Sequence, residues 1–204
     1  MRRAKRGGSM GVKTLSLVFE RSVGRLRDLP KPDLPEIALL GRSNVGKSSL
    51  LNAIGGNRRL ARTSREPGRT RTINFYRADR FLLVDLPGYG YAAVPEEVRR
   101  EWGRLIEGYL QGRASLIGGV LVLDVRRTPS ELDRIMHGWL DGRGVPFLAV
   151  ATKSDKLSRS AIVPALRTIG EAFRLHPEQV LPFSAKTGTG RAELAGWVGN
   201  LVRS

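Results

Sequence analysis

The sequence predicts one α/β domain in which a mostly parallel sheet carries helices on both faces. Short, continuous apolar runs alternate along the chain with amphipathic segments of helical periodicity. A glycine-rich loop directly follows the first of these runs, and polar residues close several of the later ones. Uninterrupted apolar strands are buried on both faces, which is the situation in a parallel sheet covered by helices.

Six segments have the length and composition of strands. The segment TINFYRADR (72–80) alternates apolar and polar residues and directly precedes an apolar run. It therefore predicts a hairpin that adds one antiparallel strand at the edge of the sheet. The remaining strands are predicted, in chain order, at IALL (37–40), FLLVD (81–85), IGGVLVLD (117–124), VPFLAVA (145–151) and VLPFS (180–184).

Three segments keep their apolar residues on one helical face, and we interpret each stripe as core-facing. In SELDRIMHGWL (130–140), Ser130 and Asp133 resemble a capping box at the start of the helix. The three stripes consist of Val98, Trp102, Leu105, Ile106, Tyr109 and Leu110; of Leu132, Ile135, Met136, Trp139 and Leu140; and of Leu194, Trp197, Val198, Leu201 and Val202.

The first 35 residues differ in composition from the rest of the chain. They form a basic arm that ends in a linker with regularly spaced prolines, DLPKPDLPE, which favours an extended backbone. We expect the first part of this arm to be disordered and the folded domain to occupy residues 36–204.

The bulk composition excludes several classes of protein. Among 204 residues, 35 Lys and Arg against 19 Asp and Glu leave a formal charge of +16, which favours polyanionic partners. There is no apolar run long enough to span a membrane, and no secretory signal pattern is evident. Because the chain contains no cysteine, we expect neither disulfides nor thiolate metal sites, in keeping with a cytoplasmic protein.

The segment GRSNVGKSS has the pattern of a phosphate-binding loop between a strand and a helix. Glycines let backbone N–H groups curl around a phosphate, and a helix beginning at Lys47 adds its positive end. The Lys47 ammonium suits the β- and γ-phosphates, and the Ser48 hydroxyl suits Mg²⁺. The predicted phosphate site comprises Gly41, Arg42, Ser43, Asn44, Val45, Gly46, Lys47, Ser48 and Ser49.

Two further motifs follow predicted strands. The first motif is formed by Asp85, which ends FLLVD, and by Leu86, Pro87 and Gly88, which follow it. The Asp85 carboxylate can hold the Mg²⁺ shell through water, and the Gly88 N–H can bond a γ-phosphate. The second motif, TKSD (152–155), follows the strand VPFLAVA. Its Asp155 carboxylate can accept hydrogen bonds from the N1–H and the 2-amino group of guanine, and adenine has neither donor. This base site comprises Thr152, Lys153, Ser154 and Asp155 with Phe183, Ser184, Ala185 and Lys186, the Ala185 N–H facing guanine O6.

Together these motifs resemble those of the EngB (YihA/YsxC) family of bacterial ribosome-biogenesis GTPases, within the translation-factor-related class. The resemblance covers roughly residues 10 to 204 and depends on LPEIALLGRSNVGKSSLLN, PGRTRTINFY, VDLPGYGYA, TKSDK and FSAKTGTG. It implies a Ras-like P-loop NTPase fold, a GTP-binding G domain over residues 36–204, and GTP and GDP as ligands with Mg²⁺.

The resemblance also implies roles for single residues. EPGRTRT matches the switch I segment, with Gly68, Arg69, Thr70, Arg71 and Thr72 beside the nucleotide. Thr70 matches the threonine that closes on Mg²⁺ and the γ-phosphate, although Thr72 remains an alternative. Asn44 matches an asparagine that supports K⁺ in related GTPases. The implied catalytic residues are Lys47, Thr70 and Gly88.

Tyr89 occupies the position where Ras-like enzymes carry a glutamine that orients the attacking water. A phenol has no amide for that task, so we expect slow intrinsic hydrolysis assisted by a monovalent cation, a rearranged switch or the bound particle.

The segment between the phosphate loop and switch I concentrates positive charge. Its RNA-binding candidates are Arg58, Arg59, Arg62, Arg65 and Arg71, with Arg69 beside them. These arginines favour a partner that contains RNA. The family resemblance implies a monomeric GTPase switch that acts on the large (50S) ribosomal subunit and is necessary for cell division and septation. The alternative is a nucleotide-regulated RNA-binding module with negligible hydrolysis; direct contact with the division machinery has no sequence feature in its favour.

Overall fold

The computed structural model describes residues 15–57, 59–61, 72–90, 96–176 and 179–203. Within these residues, seven strands form one sheet and five α-helices pack against it. The strands are β1 (Val18–Val23), β2 (Glu36–Gly41), β3 (Ile73–Arg77), β4 (Leu82–Asp85), β5 (Leu116–Asp124), β6 (Phe147–Thr152) and β7 (Val180–Pro182). The helices are α1 (Lys47–Ile54), α2 (Glu96–Gly112), α3 (Glu131–Asp141), α4 (Arg159–Phe173) and α5 (Arg191–Leu201).

The strand order in the sheet is β1-β3-β4-β2-β5-β6-β7. β3 pairs antiparallel with both β1 and β4, whereas the pairs among β4, β2, β5, β6 and β7 are parallel. The predicted α/β class with one antiparallel strand is therefore confirmed.

The predicted position of that antiparallel strand at the sheet edge is wrong. β1 lies outside β3, although its residues belong to the segment that the sequence assigned to the basic arm. The sequence of β1, VFERSV, has no continuous apolar run of the kind that indicated the other strands, and only its Val23 is buried. Its place in the sheet depends on backbone pairing with β3 and on contacts such as Phe19 against the ring of Tyr76.

The helices cover both faces of the sheet, as predicted. One apolar layer contains Leu50 of α1 and Leu194 of α5, and the other contains Tyr109 of α2, Met136 of α3 and Ile169 of α4. Among the described residues, no helix is long and apolar enough to cross a membrane.

Helix α3 begins with the predicted capping box, since the Asp133 N–H donates to Ser130 Oγ and the Ser130 N–H to the Asp133 carboxylate. The prediction that its whole apolar stripe faces the core is wrong. Leu132 and Ile135 are 39% and 43% exposed. The buried face of α3 carries Met136 and Leu140, and Leu132 and Ile135 lie beside that face. In α2 the stripe is buried from Trp102 onward; the Val98 side chain lies outside the described residues.

The parallel arrangement brings the ends of five strands to one edge of the sheet. β2, β4, β5, β6 and β7 end there at Gly41, Asp85, Asp124, Thr152 and Pro182. Open α/β sheets bind ligands outside the carboxyl ends of their strands, so this edge is where the predicted motifs should meet.

Candidate functional site

The segment from Gly41 to Ser48 has the predicted strand–loop–helix form, with β2 before it and α1 after it. Asn44 and Gly46 take left-handed backbone conformations, with φ of 63° and 110°, and α1 begins at Lys47. In the described part of the chain, the N–H groups of Gly46, Lys47 and Ser48 have no hydrogen-bond partner. Such a run of free amides at a helix start forms an anion-binding concavity.

Lys47 and Asp85 form a buried pair beneath this loop. The Lys47 ammonium donates to the Gly41 carbonyl at 3.3 Å and lies 3.9 Å from Asp85 Oδ1. Burial lowers the pKa of Lys47 and raises the pKa of Asp85, and the attraction between the two groups opposes both shifts. Asp85 Oδ1 is buried without a hydrogen bond among the described residues, so a polar partner is missing at this atom.

A cavity of about 430 Å³ opens beside this pair. Its lining includes Ser48, Asp85 and Thr72, and also Arg59, one of the RNA-binding candidates. A hydroxyl suits direct contact with the predicted Mg²⁺, and an unpaired carboxylate oxygen suits a water of its shell, which phosphate oxygens would complete. Ser48 and Asp85 therefore fit the predicted metal site.

The second threonine considered for switch I is engaged elsewhere in this conformation. Thr72 Oγ1 donates to Asn74 Oδ1 at 3.1 Å, and Ser22 Oγ donates to the same oxygen at 2.6 Å. The predicted site residues Gly68, Arg69, Thr70 and Arg71, and the candidates Arg58, Arg62 and Arg65, lie outside the described residues.

The segment after β4 is attached to the phosphate loop. Ser43 Oγ donates to the Gly88 carbonyl and the Ser43 N–H to the Tyr89 carbonyl, each at 2.9 Å, and Arg42 bridges with Tyr89. A Cβ on Gly88 would lie 3.0 Å from the Ser43 Cα, so a larger residue at position 88 would press against the phosphate loop. Leu86 and Pro87, also predicted at the nucleotide, are buried, with Leu86 in the core.

The side chain of Tyr89 turns into the protein. It is 7% exposed, and its hydroxyl donates to Asp133 Oδ1 at 2.9 Å. The sequence indicated only that Tyr89 cannot replace a glutamine; the contact with Asp133, 44 residues away, had no signal in the local pattern.

The four residues Thr152 to Asp155 connect the base site to the phosphate loop. The Thr152 hydroxyl lies 2.6 Å from the Val45 carbonyl, and the Lys153 ammonium donates to the Asn44 carbonyl at 2.7 Å. Lys153 holds this position with φ of 62°, while the Ser154 N–H donates to the Phe183 carbonyl at 3.1 Å.

The loop after β7 completes the base site. Ser184, fully buried, donates its hydroxyl to Asp155 Oδ1 at 2.7 Å and accepts the Lys186 N–H at 3.2 Å. In the described part of the chain, the Ala185 N–H has no hydrogen-bond partner. Asp155 and Ser184, 29 residues apart in the chain, thus lie together, with a carboxylate and a free amide available to a base.

Sequence reasoning missed Asp124, which closes β5 beside Lys153. Its carboxylate accepts two hydrogen bonds from the Arg126 guanidinium, at 2.9 and 2.7 Å, and one from Lys153 at 2.9 Å. Burial raises the pKa of Asp124, but these hydrogen bonds outweigh it and hold the pKa well below its usual range. The available signal was its position: like Asp85, it is an acidic residue that ends an apolar strand.

The sequence of the chain matches a family of GTPases and individual GTP-binding proteins. A family model described as 50S ribosome-binding GTPase matches residues 36–153. Two relatives named "Probable GTP-binding protein EngB", from Syntrophus aciditrophicus (strain SB) and Solibacter usitatus (strain Ellin6076), are each 50% identical over 184 residues. Each alignment covers 90% of this chain, with 93% of the first relative and 94% of the second.

The fold has a match among solved structures. A crystal structure of a probable GTP-binding protein engB aligns with a TM-score of 0.69 at 24% identity. The alignment covers 82% of this chain and 98% of that one. At this identity, the likeness concerns the fold.

Proposed function

We propose that this chain, which belongs to the EngB family of GTP-binding proteins and contains a GTPase domain, is a GTP-hydrolysing switch acting on the large ribosomal subunit. Hydrolysis would depend on Mg²⁺. By family resemblance, the switch assists assembly of the 50S subunit in the cytoplasm, as a monomer, and is needed for normal cell division and septation.

The observation that carries the proposal is the direct connection between the phosphate loop and the base site. Lys153 donates to the Asn44 carbonyl at 2.7 Å, and its neighbour Asp155 is bound by Ser184. A ligand with phosphates in the loop would therefore have its base beside Asp155. Asp155 offers acceptors and Ala185 offers a donor, the complement of the guanine edge.

Each predicted residue then has a definite task at the phosphates. Lys47 would place a positive charge between the β- and γ-phosphates, and the free amides of the loop would bind their oxygens. Ser48 would hold Mg²⁺ through its hydroxyl and Asp85 through water, and the ion neutralises charge on the phosphates when bound. The Gly88 N–H would donate to the γ-phosphate, and Thr70 would close over it.

The surroundings of Tyr89 support slow intrinsic hydrolysis. Its hydroxyl is held by Asp133 in a buried contact, so the residue after Gly88 presents no side chain to orient a water molecule. This also supports the alternative of a nucleotide-regulated binding module with negligible hydrolysis. In either case the bound particle can supply what the isolated protein lacks.

The charge of the chain supports a ribosomal partner. A formal charge of +16 attracts RNA, and the arginines at positions 58, 59, 62, 65 and 71 are the candidates that would contact phosphates near the switch.

Single-turnover hydrolysis of GTP with and without purified 50S subunits tests the proposal. Stimulation by the subunits is expected. Cosedimentation with 50S subunits, in GDP and in a non-hydrolysable GTP analogue across salt concentrations, should show nucleotide-dependent binding. No stimulation and equal affinity in both nucleotides would favour the binding module without a hydrolytic switch.

A further inference from the structure

A second cavity, of about 250 Å³, shares no lining residue with the Ser48–Asp85 cavity. Its walls are the loop residues Arg42 to Val45, the strand end Leu123–Asp124, and residues 126–129 before α3. Lys47, Ser48 and Asp85 do not line it, and neither do Asp155 and Ser184. The cavity thus adjoins the proposed nucleotide site without coinciding with it, since Arg42 to Val45 and Lys153, which the sequence assigned to that site, contribute to its wall.

The charges around this cavity leave an excess of positive charge. Four cations and two carboxylates line it: Arg42, Arg126, Arg127 and Lys153, with Asp124 and Asp133. Both carboxylates are satisfied within the protein, because Asp124 is bound by Arg126 and Lys153, and Asp133 by Tyr89 and Ser130.

Two guanidinium groups therefore remain available to a ligand. In the described part of the chain, Arg42 and Arg127 form no ion pair and no side-chain hydrogen bond. Arg127 is exposed at the rim, whereas Arg42 is half-buried. An unpaired, partly buried guanidinium beside a polar cavity attracts an anion with several acceptor oxygens.

We propose that this cavity binds a backbone phosphate of RNA. The inference rests on the proposed function, because it identifies where the RNA of the partner contacts this chain. A phosphate is favoured over a protein carboxylate because the chain carries a formal charge of +16, which selects for polyanions. The guanidinium fork and the Thr128 side chain at the lining suit phosphate oxygens and do not read bases.

The site also lies next to the segment that senses the nucleotide. The backbone of Arg42 bridges with Tyr89, and a Cβ on Gly90 would lie 3.0 Å from Arg42 Nε. An RNA phosphate held by Arg42 would thus lie beside Ser43, the next residue, which donates hydrogen bonds to the Gly88 and Tyr89 carbonyls.

Salt-dependent binding of RNA by the GDP-loaded full chain tests the proposal. The probe is a fluorescein-labelled hairpin of about 30 nucleotides, titrated by anisotropy from about 50 to about 300 mM KCl. Arg127→Gln should weaken binding roughly three- to ten-fold at low salt. It should also lower the slope of log K against log salt by about 1, equally for a hairpin of unrelated sequence.

Two matched variants accompany the test. Arg127→Lys keeps the charge and should keep the slope. Arg167→Gln removes an exposed arginine on α4 that does not line the cavity, and it should bind as the wild type does. GDP affinity, measured for every variant, reports that the fold is intact.

The outcomes separate this site from the proposed function. RNA binding by Arg127→Gln with an unchanged slope would overturn the site and leave the proposed function standing. Failure of the wild type to bind any hairpin, with normal GDP binding, would remove the RNA-binding part of the proposed function itself. If Arg127→Gln weakened binding of poly-glutamate but not of RNA, the ligand of the cavity would be an acidic protein. If micromolar inorganic phosphate displaced the hairpin from the wild type, the ligand would be the free ion.

Discussion

The phenol of Tyr89 donates a 2.9 Å hydrogen bond to the carboxylate of Asp133, which joins the segment after Gly88 to the first turn of α3. The same carboxylate accepts the N–H and the hydroxyl of Ser130, each at 2.7 Å. Burial and the negative charge of Asp133 raise the pKa of Tyr89 well above its usual value, so the phenol remains a donor. Tyr89 is therefore a structural tie between two elements that border the site.

Replacing Tyr89 by Phe should remove this tie without changing the packing of the ring. Because a buried hydrogen bond to a charged group is lost, the free energy of unfolding should fall by about 1.5–3 kcal/mol. Urea unfolding would measure the change, with Tyr76→Phe as a control because the Tyr76 hydroxyl makes no hydrogen bond in the described residues. Equal stability of Tyr89→Phe and the wild type would contradict a tie of this strength.

The site predicts an order for two substitutions in GTP hydrolysis. Lys47→Ala removes a buried ammonium from the proposed phosphate site, whereas Tyr89→Ala removes a ring that points into the core. Intrinsic turnover should thus fall more for Lys47→Ala, measured under single-turnover conditions with Mg²⁺. A larger loss for Tyr89→Ala would place Tyr89 in the reaction itself.

Asp155→Asn should change which base is bound. The amide places an NH₂ donor group where the carboxylate had a second acceptor oxygen, so the guanine 2-amino group would face a donor. GTP affinity should fall roughly 10- to 100-fold. Xanthosine triphosphate should bind better to the variant than to the wild type, because its O2 accepts the new N–H.

A surface control distinguishes this effect from a loss of charge. Asp79→Asn makes the same change at a side chain that is 98% exposed, and it should leave both affinities unaltered. A decrease in GTP affinity without any gain for the xanthine nucleotide would argue against Asp155 as the base-reading residue.

Potassium should accelerate hydrolysis relative to sodium. Asn44 is exposed on the phosphate loop, and its side chain makes no hydrogen bond among the described residues, so its carbonyl is available to a cation. Rates in KCl and NaCl at equal ionic strength test this. Asn44→Gly removes the amide, tolerates the φ of 63°, and should abolish any difference between the salts. Equal rates for the wild type would exclude the potassium role.

His137 should make the protein less stable in mild acid. Its ring packs against Phe147 and Phe173, with centroids 4.8 and 5.2 Å away, and burial lowers its pKa below 6.5 although Asp141 opposes the shift. The unfolded chain therefore binds this proton more readily, so stability rises with pH up to about 6.5 and is lost as pH falls.

Thermal unfolding between about pH 5 and about pH 7.5 measures that dependence. His137→Gln should flatten the curve of Tm against pH, because the substituted side chain does not titrate in this range. His176→Gln is the matched control at an exposed histidine and should retain the wild-type slope. An identical slope in His137→Gln and the wild type would assign the pH dependence to other groups.

The sequence by itself determined the fold class and the order of the site motifs. Phosphate loops and strand-terminal acids are local patterns, and strand periodicity indicates that their ends share one edge of a sheet. Lys47, Asp85 and Asp155 were identified in this way. The edge position of β1, the exposure of Leu132 and Ile135, and the ties Tyr89–Asp133 and Lys153–Asp124 appeared only in the tertiary structure. Each of these depends on packing or hydrogen bonding between residues distant in the chain, and no local period of the sequence encodes such a pairing.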